Sequence, residues 1–443
     1  MNSPQQSELE GYSFTCKVNG VDELIRFSPY RITSTRSEFN ISQEYGLDSE
    51  GKLSTDFVPF ESGSVEALMM DVLRSGEVEQ LRDAGLVFYE RPPTGSISRN
   101  LAVYDPKTGL SYTIGGLGFI APDANDKTHF LLKDPLLDDT YGAYQKRHGQ
   151  NVGGTKLVSD DGFKTVANHS VVGAVEYKSG TYQVVRKIQE TERMKGLGIN
   201  APTFIAAGPI LNIADGKYGF TIYRSHLTPE YLLNISLYLD QGANFKKNFE
   251  VFLKSKYSQL AHMHRDLGES HGQPSNTNTL CQIKVFEEED NLSCQIKDFQ
   301  TNQALPSKRT KTIEDGLCPI ASGYIVKKSP HVAAMIYDLQ HSLTQELNVL
   351  FVPSRFIKDV QQKFNYLTNQ SARLLRVVAG SYGIADIKIA QEAIDFAVHR
   401  YLELLKHGTP MDKYNEVIAG IFAHKLFELS AEYGEEVEII KKL

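Results

Sequence analysis

The spacing of apolar and polar positions divides the chain into three stretches. Through residues 1–150, short β-type runs alternate with turn residues. LAVYDPKTGLSYTIGG predicts a hairpin, its strands Leu101–Tyr104 and Leu110–Ile114 joined through Asp105-Pro106-Lys107-Thr108-Gly109. Ahead of it, SVEALMMDVLRSGEVEQLRDAG predicts a helix with Val65, Leu68, Met69 and Val72 on one face and a break at Ser75-Gly76. The polar, turn-rich stretch from Pro122 to residue 150 reads as a linker or a loop over a site. Residues 1–150 are thus read as an α+β region that serves a substrate or partner.

A second pattern begins at Gly153. Short strands follow Gly153-Gly154-Thr155-Lys156, and Tyr177-Lys178-Ser179-Gly180 predicts a tight turn between VVGAVEY and TYQVVRKI as an antiparallel pair. A helix or turn is predicted near Thr191–Lys195, then two strands in APTFIAAGPILNI and YGFTIYRSHL. From residue 228 the pattern is helical. Thr228 is a good N-cap, with Pro229 and Glu230 in the first turn of TPEYLLNISLYLDQG. Phe249, Phe252, Leu253, Tyr257 and Leu260 then form the buried stripe of a long helix ending at Gly268. Beyond residue 300 the chain turns helical again, with four helices predicted in the stretches that begin at His331, Ser354, Ala385 and Tyr414.

Composition adds mainly exclusions. With 443 residues, 41% hydrophobic and 23% charged, the chain can bury two or three units without disulfide staples. Cys16, Cys281, Cys294 and Cys318 form no CxxC pair, which excludes a small disulfide framework and a thiolate-rich zinc site. A net charge of −7 and basic clusters no longer than Lys308-Arg309-Thr310-Lys311 argue against nucleic acid as a partner. The N-terminal residues lack an apolar signal region, and no window has the length of a membrane span. The expectation is a cytoplasmic protein, although signal-independent secretion leaves the same trace.

Candidate chemistry concentrates in residues 260–301. A long helix runs into the polar loop His271-Gly272-Gln273-Pro274-Ser275-Asn276-Thr277-Asn278. Strands Thr279–Phe286 and Leu292–Ile296 follow, separated by the acidic turn Glu287–Asp290 and ending at Asp298. Such a hairpin brings Asn278 near Asp298, and amide and carboxylate oxygens are the hard ligands Mg²⁺ takes beside phosphate and water. An ion there neutralises charge on a transferred phosphate.

This stretch resembles the catalytic core of the protein-kinase-like superfamily. His271-Gly272 matches the opening of its catalytic loop, Asn278 its metal-binding Asn, and Asp298-Phe299 its metal-binding Asp and packing aromatic. The resemblance covers roughly residues 150–300. It implies an α+β, two-lobed fold with an added N-terminal region (N-lobe 151–227, helical C-lobe 228–443), and ATP and Mg²⁺ as cofactors. Gln273 stands where that family has its catalytic Asp, and Gln300 replaces the Gly after Asp-Phe. A neutral amide accepts no proton, but it can orient a nucleophile. The nearby His264-Arg265-Asp266 is set aside, since His271 rather than Asn stands five residues after Asp266.

Two other families bear on the reaction. Selenoprotein-O-like AMP transferases resemble the chain in a His-Gly loop without the usual Asp, although Thr277 fills the place of their Asp before the metal Asn. Siderophore synthetases that adenylate carboxylates resemble it through Glu269-Ser270-His271-Gly272-Gln273, Asn278-Thr279-Leu280 and Lys297-Asp298-Phe299.

The expected function is an ATP- and Mg²⁺-dependent transferase moving a phosphoryl or AMP group to a protein or small-molecule acceptor. The alternatives are a carboxylate–amine ligase and a non-catalytic pseudokinase acting as a binding module. Gln273, His271 and Glu269 are the catalytic candidates. On the predicted strand Tyr182–Lys187, Arg186 and Lys187 point to opposite faces, and either one can meet the phosphates. Glu190 or Glu192 is the expected partner of that cation. Gly153 and Gly154 permit close backbone approach to phosphate. Tyr223, placed just after the fifth strand, is the adenine-contact candidate.

Overall fold

A computed structural model describes residues 13–18, 21–26, 31–88, 98–126, 129–147, 154–159, 162–167, 171–180, 183–226, 243–274, 279–281, 294–307, 312–316, 324–351, 357–384, 386–406 and 414–442. Its architecture is mixed α+β.

The larger β layer is a ten-stranded sheet. Its strands are β1 (Arg31–Ser34), β2 (Tyr45–Leu47), β3 (Leu53–Ser54), β4 (Val87–Phe88), β5 (Ser98–Asp105), β6 (Leu110–Pro122), β7 (His129–Lys133), β8 (Val175–Glu176), β9 (Thr203–Pro209) and β10 (Tyr218–Ser225). The order is β1-β7-β6-β10-β9-β2-β3, with β5 also on β6, β4 on β5 and β8 on β10. Among the described residues, only β1 and β7 run parallel. Strands from before residue 134 and after residue 174 therefore share one ladder, joined where β6 pairs β10 (Thr221 opposite Gly115, Ser225 opposite Ser111).

The hairpin read from LAVYDPKTGLSYTIGG is β5–β6, with Asp105 opposite Leu110. Its glycines allow close strand contact. Gly116 has φ +82°, and a Cβ there would lie 2.4 Å from the Gly219 carbonyl oxygen. Helix α1 (Val65–Ser75) begins at Ser64, whose hydroxyl accepts from the Ala67 amide, and stops at left-handed Gly76. Helix α2 (Glu79–Asp83) follows the break. Met69, Met70, Val72 and Leu73 of α1 and Leu81 of α2 pack on the sheet with Ile114, Phe130, Ile205 and Phe220. Helix α3 (Tyr141–Arg147) sets Tyr144 edge-on against Phe119 of β6.

One predicted strand is corrected. Residues from Val184 onward form helix α4 (Val184–Gly196), not the second arm of a hairpin. The pair Val184-Val185 favours β structure locally, but Val184, Ile188, Thr191 and Met194 recur at helical spacing and are all buried. Packing of that face against Phe204, Tyr223 and the helical core outweighs the propensity.

The helical layer follows its predicted pattern. Helix α5 (Ala243–His262) buries Phe252, Leu253, Tyr257 and Leu260 and ends in a π-helical turn, Met263–Leu267, capped by left-handed Gly268. Helices α6 (Pro330–Phe351), α7 (Val360–Ser381), α8 (Ile387–Lys406) and α9 (Tyr414–Leu429) supply most of the remaining core. A fully buried ion pair joins α5 to α6: Lys256 Nζ lies 2.7 Å from Glu346 Oε1, and the Tyr257 hydroxyl donates to Oε2. The helix predicted at Thr228 and the acidic turn Glu287–Asp290 lie outside the described residues. No helix among the described residues is long and apolar enough to cross a membrane.

Candidate functional site

The loop after α5 is built around one carboxylate. Beyond Gly268, β11 (Glu269–Ser270) pairs with β14 (Gln303–Ala304) and leads into His271-Gly272. Asp338, buried on α6, accepts from the Ser270 hydroxyl at 2.9 Å and from the backbone amides of His271 at 2.8 Å and Gly272 at 3.0 Å. His264 Nε2 lies 2.9 Å from the same carboxylate, and its Nδ1 is 2.7 Å from the Tyr382 hydroxyl. Burial pushes the Asp338 carboxyl up, but His264 and the converging donors outweigh that and hold it below the usual carboxylate range.

His271 is itself enclosed. Nε2 donates to the Lys297 carbonyl at 2.9 Å, Nδ1 accepts from the Gln273 amide at 3.3 Å, and burial lowers its pKa. With both nitrogens engaged, the neutral ring holds the loop to the segment carrying Asp298. The Thr301 hydroxyl donates to the His271 carbonyl at 2.7 Å, and Phe299 packs on the ring at 5.3 Å between centroids. Gly272 has φ +77°, a backbone that favours glycine.

Strands β12 (Thr279–Cys281) and β13 (Cys294–Ile296) are antiparallel, with Thr279 opposite Ile296. Asn278 lies outside the described residues. Asp298 follows β13 in the left-handed region, φ +67°, which Asp tolerates better than most residues. Its Oδ1 lies 2.5 Å from Lys187 Nζ. Burial raises the Asp298 carboxyl, but Lys187 and Lys297, with a smaller contribution from Arg99 on β5, bring it down to about 2. Lys297 reaches the Tyr223 hydroxyl at 3.3 Å, and both lysines lie within 6 Å of the Tyr223 ring, at 5.8 Å each. The result is an ionised, inward-turned carboxylate among cations.

Helix α4 carries three of the contacts that join this site. Arg186 Nη2 donates to the Asn302 carbonyl at 3.1 Å, and Lys187 meets Asp298. Arg193 grips Glu269 with both nitrogens, Nη1–Oε1 at 2.7 Å and Nη2–Oε2 at 2.5 Å. The alternation expected for Arg186 and Lys187 is therefore corrected: on a helix, both side chains reach the segment 298–302. The expected acidic partner is corrected as well. Glu192 pairs with Lys195 at 3.2 Å and Glu190 with Arg193 at 2.7 Å, so Lys187 pairs with Asp298 instead. Glu269 serves as the anchor for Arg193.

The remaining sequence candidates are more scattered. Tyr223 lies within β10, opposite Thr113, rather than beyond the strand, and its ring packs edge-on against Phe204. Gly153 is outside the described residues. Gly154 opens a strand (Gly154–Ser159) that, among the described residues, pairs with Gly162–Ala167, apart from the ten-stranded sheet and against α6. Of His264-Arg265-Asp266, only His264 is buried, while Asp266 meets His262 at 2.6 Å.

Sequence reasoning missed Asp338, Arg193 and Arg99. Asp338 had a signal: with Ser342 and Glu346 it forms a polar row at steps of four along an otherwise apolar helix face, and all three are buried. Among the described residues, no three His, Cys, Asp or Glu side chains converge as a metal cage. Magnesium bound through substrate phosphates needs only one or two protein oxygens, and the ionised Asp298 fits that requirement.

No family model matches the chain, and no curated protein matches it. Among the solved structures that match is one described as "WaaP in complex with acyl carrier protein". The TM-score is 0.30 at 12% identity, over 60% of this chain and 94% of that one.

Proposed function

We propose that the chain is an ATP- and Mg²⁺-dependent transferase that moves a phosphoryl or AMP group. The observation that carries this reading is Asp298, ionised and turned inward at the end of the hairpin with Lys187 and Lys297 beside it. A triphosphate brings the negative charge such cations attract. In this reading Asp298 and Asn278 hold the metal ion, which neutralises charge on the transferred phosphate. Lys187 turns from Asp298 to the phosphates, Tyr223 forms the floor beneath both lysines, and Arg186 and Arg193 fix α4. Gln273, at the end of the Asp338-held loop, orients the incoming nucleophile by hydrogen bonding without taking its proton.

A second reading, a binding module without turnover, is favoured by the closed Lys187–Asp298 pair together with the amide at Gln273. Incubation with Mg²⁺ and ATP labelled at the α or the γ phosphate separates the two. Transfer of label, abolished in Asp298→Asn with the fold retained, supports the enzyme. Nucleotide binding without transfer of either label supports the module.

A further inference from the structure

Helix α6 is buried around most of its circumference, with Val332, Met335, Ile336, Leu339, Leu343 and Leu347 in the helical core. One stripe escapes that packing. Tyr337, Gln340, His341, Thr344 and Gln345 stand at i, i+3, i+4, i+7 and i+8 and, with Gly272 and Glu416 of α9, line a cleft of about 210 Å³.

The chemistry of this stripe is selective. It presents two carboxamides, a hydroxyl, a phenol and an imidazole, whereas a helix face that only meets water commonly carries Lys and Glu. Amides and hydroxyls both donate and accept hydrogen bonds, so they match a ligand that does the same. No lysine or arginine lines the cleft among the described residues, and Glu416 adds negative charge at its edge, which disfavours an anionic occupant. Pockets for drug-sized ligands run to roughly 300–1,000 Å³, so this cleft suits one smaller polar molecule.

Its place in the fold ties it to the candidate site. Gly272, at the cleft wall, donates its amide to Asp338, the next residue after Tyr337. One helix therefore sets both the loop that ends at Gln273 and the wall beside it. Across the cleft, Gln340 Nε2 reaches the Glu416 carbonyl at 3.5 Å, and the Thr344 hydroxyl donates to the Gln340 carbonyl at 2.7 Å while its oxygen still accepts.

We infer that this cleft is the acceptor site and takes a neutral polyhydroxylated molecule of sugar or cyclitol size, an inference that rests on the transferase reading. A ligand hydroxyl oxygen forms the new bond to phosphorus as the bridging P–O bond breaks. ADP leaves after attack at the γ phosphate, or pyrophosphate after attack at the α phosphate. The hydroxyl proton passes to solvent.

The test uses saturation-transfer NMR on the full chain with D-glucose, D-galactose and myo-inositol at millimolar concentration, beside Mg-ATP titration and label transfer. The expected result is saturation transfer to at least one polyol, lowered about tenfold in affinity by Thr344→Trp, which fills the cleft, with Mg-ATP affinity unchanged. Thr344→Val and Gln345→Leu give the same loss with less risk to folding. The inference is overturned if no polyol binds, if the variants leave binding intact, or if a bound polyol gains no label from ATP. Failure of Mg-ATP to bind removes the transferase reading and the acceptor role with it, and is told apart because polyol binding is read without nucleotide.

Discussion

Lys187 on α4 and Asp298 beyond β13 meet at 2.5 Å, so the carboxylate expected to hold a metal ion is held here by a cation from another element. The cation keeps the Asp298 carboxyl ionised, and each group fixes the other's position.

That pairing sets the first prediction. The Asp298 carboxyl sits at about 2 in the fold against 3.8 ordinarily, so its stabilising contribution is complete above about pH 4 and disappears as pH falls toward 2. The shift corresponds to about 2 kcal/mol. Urea unfolding followed from pH 5 down to 2 should show a shallower acid loss in Asp298→Asn than in the wild type, since Asn tolerates the left-handed backbone but does not titrate. Parallel acid limbs in the two proteins would show that the ion pair contributes nothing.

Arg193 and Glu269 should couple α4 to the strand that enters the His271 loop. A double-mutant cycle with Arg193→Gln and Glu269→Gln is expected to give a coupling of about 0.5–1 kcal/mol, modest because the arginine is 41% exposed. A coupling indistinguishable from zero would mean that α4 is held by its apolar face alone.

Asp338→Asn leaves the side chain's size unchanged but removes the charge that four donors share. Breaking such a buried constellation should cost about 3–5 kcal/mol. Hydrogen exchange should speed up most at the His271 and Gly272 amides, which donate to different oxygens of Asp338, since Asn keeps only one acceptor oxygen. Exchange that speeds up evenly across the helical layer would point to a global effect instead.

Gly116→Ala should destabilise the sheet by roughly 2–4 kcal/mol, since the new Cβ meets the Gly219 carbonyl at 2.4 Å and the backbone at φ +82° disfavours any side chain. Gly85→Ala is the control: its φ is +87° with no atom within 4 Å of the added Cβ, so it should cost only about 1 kcal/mol. Thermal or urea midpoints that rank the two in the opposite order would refute the close-contact argument.

Much of the helical layer was legible because its signal is local. The periodic apolar stripe of α5, the four later helices and the hairpin ending in Asp298-Phe299 are all written in neighbouring residues. Helix α4 was not, because Val184-Val185 invites a strand and only distant packing on Phe204 and Tyr223 decides otherwise. The partners of the site were hidden for the same reason. Asp338 lies 67 residues from His271, and Arg193 lies 76 from Glu269. A single sequence carries no record of such separations.

The ladder between β6 and β10 bears on how the chain is handled and assembled. A shortened version that begins near residue 150 would strip the neighbour from Ser225–Thr221 and uncover a long row of unsatisfied amides and carbonyls on an apolar sheet. Such an edge invites other strands to add to it. Self-association of the fragment, with the intact chain staying dispersed, is the outcome this connection implies.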